Sequence, residues 1–296
     1  MQCIIIMHCI KGELMQQVIA KIGGRFERLN LPSANSTVWP VLLWGRFDQP
    51  LTPAFWTSQA WMAAPVRSED YRLGRSLTEE VVFCLLGAHG APAEVGLAAA
   101  SRVCETIRNS NTSTLSCGEL EELLLTPLQI GERVIRYRFA KQRARYLAGA
   151  FEQLTETDFC QLNDISLRQA LCALPGIGPK TASWIVRNHR GSDRVAILDV
   201  HIMRACSAID VFPENLEPAR HYTELEQRFL AFCEATGSRA SAMDSIMWST
   251  MRSLSRSLLQ QLVDRVRNFT HADMVDQQLE QPCPEVIAQE MMGPGT

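Results

Sequence analysis

Two stretches of helical periodicity, near 165–174 and 179–189, are separated by Leu174-Pro175-Gly176-Ile177-Gly178-Pro179-Lys180. This run constrains the chain more than any other. Asp164 is placed to cap a helix over Ile165 to Ala173, and Pro175 stops it. Two glycines allow a tight hairpin, and Pro179 suits a first helical turn, where its missing donor costs nothing. Backbone N–H groups at the start of the second helix, together with the helix dipole, make a site for a phosphate. A simple corner between two helices explains the same residues equally well.

The continuation KTASWIVRNHRGSDRVAILDVHIMR adds chemistry. Helical spacing predicts one face with Lys180, Ser183, Trp184 and Arg187, and another with Thr181, Ala182, Ile185 and Val186 packing inward. Nineteen residues after Lys180, Asp199 sits among Ile197, Leu198 and Val200. An acid in such a stretch is costly to bury without partners. It can also cap a helix that begins near Val200, and capping does not exclude chemistry.

Elsewhere apolar residues recur at three- and four-residue intervals around 77–87, 94–108, 119–125, 133–154, 200–210, 222–235 and 240–268, so helices are expected there. Gly and Pro punctuate them. Alternating β-branched segments are few, and the main body reads as mostly α. Trp39, Trp44, Trp56 and Trp61 mark a small N-terminal lobe of mixed structure. The expected organisation is an N-terminal segment and lobe over 1–75, a helical domain over 76–269 and a mobile tail over 270–296. Met7 and Met15 are candidate translation starts.

Charge, taken as a whole, argues weakly against a nucleic-acid partner: 29 basic and 32 acidic residues give a net charge of −3. By region the picture differs. Residues 1–75 carry +3, 76–130 carry −5, 131–194 carry +5 and 195–296 carry −6. The basic block is densest in RVIRYRFAKQRARYL, 133–147, where Arg138, Lys141 and Arg143 interleave with Tyr137, Phe139 and Tyr146. Phosphate contacts require a stripe of this kind, though a solvated amphipathic helix has the same pattern. No run of about 18 apolar residues exists, so no membrane-spanning helix is expected. The ten cysteines include no C-x-x-C pair, which points to reduced thiols in a cytoplasmic protein.

LPGIGPKTASWIVRN followed by VAILDVHIMR resembles the helix–hairpin–helix superfamily of DNA glycosylases, and within it the 8-oxoguanine DNA glycosylases. YRFAKQRARYL at 137–147, LEQRFLAFCEATGSRASAMDSIMW at 225–248 and WGRFDQPLTPAFWTSQAW at 44–61 resemble further segments of that family. The likeness covers about 40–270. It implies a mostly α fold with a helix–hairpin–helix at 174–180 and a small mixed N-terminal lobe. It also implies an enzyme that flips a damaged base out of duplex DNA and excises it, with strand cleavage by β-elimination.

The resemblance also implies roles. Lys180 stands at the nucleophile position and Asp199 at that of the catalytic carboxylate. Trp184 and Trp248 stand where the flipped base is sandwiched, and Asp244 where its edge is read. His201, Gly176 and Gly178 stand at phosphate-binding positions, with Arg138, Lys141 and Arg143 on the basic segment before them. A monovalent cation is expected at the hairpin carbonyls of Leu174 and Ile177, and no other cofactor is required. Relatives that carry an iron–sulfur cluster have four clustered cysteines after the domain. Here only Cys206, Cys233 and Cys283 follow Lys180, widely spaced, so no iron–sulfur cluster is expected. The partner is double-stranded DNA containing a damaged or modified base, with no membrane, and the protein is expected to act as a monomer in the nucleoid. Gln142 and Arg143 are both candidates to enter the duplex.

There are departures. Eukaryotic-type members have cysteine where Trp184 stands and glutamine near Asp244, so this chain is more similar to the archaeal branch. An ionised Asp244 only accepts hydrogen bonds, which suits the N1–H and N2–H₂ of a guanine-type base and equally the N4–H₂ of a cytosine. A glycosylase removing a modified cytosine from phage DNA, as antiviral defence, therefore stays open. So does a non-catalytic module that binds duplex backbone, although phosphate binding requires neither Lys180 nor Asp199.

Overall fold

Pro53 and the Thr52 hydroxyl, which accepts the Phe55 N–H at 3.1 Å, start a helix over Pro53–Ala63 (α1) that lacks an amphipathic period. It is buried on most sides, Thr57 and Ser58 included, with Trp56 fully enclosed. The computed structural model describes residues 3–10, 13–40, 42–63, 68–87, 90–110, 112 and 114–266. The tail expected over 270–296 lies outside them.

Ahead of α1, strands Cys3–Ile10 (β1), Glu13–Ile22 (β2) and Arg25–Leu31 (β3) form an antiparallel meander in the order β1-β2-β3. A two-stranded piece, Thr37–Trp39 (β4) with Leu42–Leu43 (β5), follows. Buried Gln16 binds this sheet to the next loop: its amide donates to the Pro32 and Gly45 carbonyls, and its oxygen accepts the Phe47 N–H. The N-terminal region is thus mixed, as expected.

The helical body contains Leu77–Leu86 (α2), Ala93–Ser110 (α3), Cys117–Leu125 (α4), Ala140–Glu156 (α5), Asp164–Cys172 (α6), Pro179–Arg190 (α7), Val200–Ala208 (α8), Pro218–Ala235 (α9) and Ala240–Ser253 (α10). One apolar cluster joins residues of α2 through α7, including Val81, Leu85, Leu147, Leu171 and Ile185. A second joins α8, α9 and α10 to Leu42, Leu51, Trp56 and Ala60, so α1 shares its core with the C-terminal helices. Asp199, at the start of α8, and α7 meet where these clusters adjoin.

Three boundaries differ from the sequence reading. The helix expected from 133 begins only at Ala140, because Arg133–Ile135 (β7) pairs with Leu128–Ile130 (β6) across Gly131, whose φ is +58°. Tyr137 then turns inward and its hydroxyl donates to the Leu86 carbonyl at 2.7 Å, which holds the link out of the helix. The helix expected over 240–268 breaks after Ser253. Ser255 Oγ accepts the Leu258 N–H and starts a separate helical stretch over 256–266. The cap of α6 is Asn163, whose side chain accepts from Ile165 and Ser166. Asp164 instead meets Arg190 and the Ser192 hydroxyl.

Candidate active site

The hairpin is a turn in which the Leu174 carbonyl accepts the Ile177 N–H at 3.2 Å. Pro175 supplies the fixed φ of the second position. Gly176, at φ +76°, takes the third, as a type II turn requires. A methyl on Gly176 would strike the Tyr146 ring of α5, so this glycine is dictated both by backbone conformation and by close approach. Leu174 and Ile177 are buried and anchor the turn, whereas Gly176 and Gly178 are exposed. Gly178 caps α7 and Pro179 opens it, leaving the first-turn amides of α7 directed outward.

Beside this turn lies a cavity of about 550 Å³. Lys180, Trp184, Asp199, Asp244 and Trp248 all line it, joined by Arg187. Two sequence segments more than 40 residues apart thus deliver the residues singled out by the resemblance into one space. Lys180 Nζ lies 5.9 Å from the Trp184 ring centroid. Trp184 itself is pressed near Gly87 at the end of α2. Trp248 is 38% exposed, its ring covered by the Arg252 guanidinium at 4.5 Å.

Asp199 is the cap of α8: its Oδ1 accepts the His201 and Ile202 N–H groups at 2.8 and 3.0 Å. The same bonds that cap the helix fix a carboxylate at the cavity wall. His201 packs edge-on to Trp248 at 6.4 Å. Its Nδ1 is buried without a hydrogen-bond partner.

Asp244 is buried on α10, with Oδ1 3.5 Å from Arg187 Nη2 and Oδ2 lacking a partner. Burial pushes its carboxyl up to about 6, aided by the Asp199 charge and opposed by Arg187. Arg187 in turn lies 4.7 Å over the Tyr71 ring, and its Nε is also unpartnered. Tyr71 belongs to a 3-10 turn at Ser68–Tyr71 and escaped the sequence reading, because nothing local marks it. Buried Glu80 holds this turn's continuation against α7. It accepts the Leu73 and Gly74 N–H groups and the Asn188 amide.

Other expected residues fall elsewhere. Ser183 does not line the cavity: it is fully buried and donates to Glu226 at 3.3 Å. Arg143 turns inward at 9% exposure, its guanidinium about 6 Å from the Phe139 and Tyr146 rings, so it spaces these aromatics. Arg138 and Lys141 are exposed, Lys141 facing Glu121 at 3.6 Å. Gln142 is exposed and donates to the Tyr146 hydroxyl. Among the described residues no group of three or more His, Cys, Asp or Glu is arranged to hold a metal ion, and no helix is long and apolar enough to cross a membrane.

Comparison with known proteins places these residues in a family. The chain is 28% identical over 123 residues to an 8-oxoguanine DNA glycosylase/AP lyase of Fusobacterium nucleatum, a match covering 38% of this chain and 56% of that protein. The chain thus spans just over half the length of that curated relative. Among solved structures, the 8-oxoguanine DNA glycosylase of Methanocaldococcus jannaschii is 25% identical, with a TM-score of 0.46 over 67% of this chain and 85% of that one. A complex of the M. jannaschii 8-oxoguanine glycosylase/lyase with a DNA 15-mer containing 8-oxoguanine has a TM-score of 0.44 at 25% identity, over 68% and 91% of the two chains. The family model for 8-oxoguanine DNA glycosylase matches residues 67–238, which include the hairpin, Lys180, Trp184, Arg187 and Asp199, and the chain belongs to that family.

Proposed function

We propose that this protein is a DNA N-glycosylase with an associated lyase activity, acting on an 8-oxoguanine-type base in duplex DNA. The observation that carries the reading is the convergence of Lys180, Asp199, Trp184, Trp248 and Asp244 on one cavity. Its volume suits a small ligand, for which pockets run to about 300–1,000 Å³.

A base must leave the stack before it can be cut, at a cost of a few kcal/mol. Stacking on an aromatic ring returns about 1–3 kcal/mol, so two indoles offset most of that cost. Breaking the N-glycosidic bond sends its electron pair to the base and leaves positive charge on the sugar. Asp199, oriented by two backbone N–H bonds, stabilises that charge. The Lys180 amine uses its lone pair to form a bond to C1′ and, after ring opening, a Schiff base. The Schiff base acidifies the C2′ proton, and its removal expels the 3′ phosphate. Asp244 and Arg187, which both line the cavity, bring a carboxylate and a guanidinium to the base edge. The exposed hairpin and the first-turn amides of α7 receive a backbone phosphate. Leu174 and Ile177 would hold a monovalent cation there. The Leu174 carbonyl spends one lone pair on the turn and keeps the second, so such an ion competes with no bond of the hairpin.

The test is a set of duplexes carrying 8-oxoguanine, uracil or glucosylated hydroxymethylcytosine, each with and without alkali, and with borohydride trapping. The expected result is nicking of the 8-oxoguanine strand before alkali and a trapped covalent complex, both lost in Lys180→Gln. Nicking only after alkali removes the lyase step. Preference for the modified cytosine changes the substrate. Salt-sensitive binding without any cleavage leaves a binding module.

A further inference from the structure

α9 runs behind the cavity and contributes none of the residues that line it, yet two of its side chains hold both reactive segments. Glu226 is buried at 4% exposure. Its Oε1 accepts the Ala196 N–H at 3.0 Å and the Ser183 hydroxyl at 3.3 Å, and its Oε2 faces Arg168 Nη1 of α6 at 3.2 Å. One turn earlier, the Tyr222 hydroxyl donates to the Ala196 carbonyl at 2.6 Å and accepts the Leu198 N–H at 3.4 Å.

Ser183 lies three residues after Lys180, and Ala196 three before Asp199. The buried segment Val195–Leu198 is neither helix nor strand. Its inward backbone groups must still be satisfied, and side chains of α9 satisfy them. Satisfying these backbone groups contributes to stability, but it does not require the charge on Glu226. A buried ion pair is often replaceable by apolar residues at no loss. What a single carboxylate shared between α7 and the Asp199 segment does provide is a fixed distance between them. Misplacement of reacting groups by about 1 Å can cost on the order of 100-fold in rate.

We propose that Glu226, with Tyr222 one turn before it, is a positioning residue that ties the helix carrying Lys180 to the segment carrying Asp199. This rests on the reading of those two residues as the reacting groups. Removing Glu226 would strand the Arg168 charge in the interior, so the ties are better cut singly. Ser183→Ala releases α7 from Glu226, and Tyr222→Phe removes the bonds to the Ala196 carbonyl and the Leu198 N–H while leaving the Ala196 N–H on Glu226.

The full chain is measured by single-turnover excision from an 8-oxoguanine duplex at saturating enzyme, and by its Kd for a duplex with an uncleavable tetrahydrofuran abasic analogue. Each folded variant is expected to lose at least fivefold in rate, with Kd within twofold of wild type. Ser183→Ala decides the role of Glu226, and Tyr222→Phe that of Tyr222. A smaller loss of rate, or a loss that appears in Kd instead, overturns the proposal, because a role confined to folding or DNA binding would give that pattern. A wild-type protein that excises nothing overturns the functional reading itself and is distinct from both results.

Discussion

Asp244 gives up its proton at a higher pH than a carboxylate usually does. Burial and the nearby Asp199 charge raise its carboxyl from an ordinary 3.8 to about 6, and Arg187 offsets only part of this. A carboxyl with a folded-state pKa above the unfolded value contributes stability that is fully present below about pH 3.8. That contribution is lost as pH rises through about 6, and amounts to on the order of 3 kcal/mol. Glu80 and Glu226 are also raised by burial and act in the same direction, so wild type must be read against a variant. Denaturant unfolding of Asp244→Asn and wild type at pH 4, 5.5 and 7 should show the difference between them shifting by up to that amount in favour of the variant. A difference independent of pH removes the raised carboxyl. Trp248 carries a separate prediction. It is 38% exposed and supports little of the core. Trp248→Ala should therefore leave Tm nearly unchanged while weakening binding to lesion-containing duplex by about 1–3 kcal/mol, roughly 5- to 150-fold. Equal losses on lesion-free duplex would remove its stacking role.

At the level of elements, the two hairpin glycines separate by mechanism. Gly176→Ala forces a left-handed alanine, costing roughly 1–2 kcal/mol, and drives its methyl into Tyr146. With about 2–4 °C per kcal/mol for a domain of 150–250 residues, Tm should drop by several degrees. Gly178 has an ordinary φ of −98°, and a methyl there meets no atom within 4 Å. Gly178→Ala should keep its Tm and, on the proposed function, lose duplex affinity, because the methyl would stand where a phosphate approaches. Retained affinity in that variant sinks the hairpin as a phosphate site. This hairpin was legible in the sequence because every signal in it is local: Pro stops, Gly bends, Pro restarts. The start of α5 was not, since Arg133 to Phe139 keeps helical spacing while a β-hairpin and the Tyr137 bond to Leu86 decide otherwise. α1 was unreadable for the opposite reason: a helix buried on most sides has no polar face to announce its period. The cavity residues came out of spacing and family resemblance. Ser183 was misassigned because a helical wheel cannot say that α9 will pack against that face, and Tyr71 reaches Arg187 from more than 100 residues away.

Over the whole molecule, a net charge of −3 leaves attraction to DNA to a local surface. Within the basic block the exposed cations are Arg133, Arg136, Arg138, Lys141 and Arg145, since Arg143 is buried. Arg133 already faces Glu94 at 2.7 Å and Lys141 faces Glu121 at 3.6 Å. Three or four phosphate contacts are thus what this face can supply cheaply. Each phosphate neutralised on B-DNA contributes about −0.9 to the slope of log K against log salt. Lesion-free duplex should therefore bind with a slope no steeper than about −4, on that same scale. Arg136→Gln or Arg138→Gln should each flatten it by about 0.9, with Arg143→Gln leaving the slope unchanged. On the proposed function, the gain in affinity from a flipped base would come from stacking and buried hydrogen bonds, so it should vary little with salt. A salt titration of lesion-free and lesion-containing duplexes checks all three statements. A steep slope that survives the Arg136 and Arg138 substitutions would mean that the DNA lies on a different face, away from the hairpin that opens the cavity.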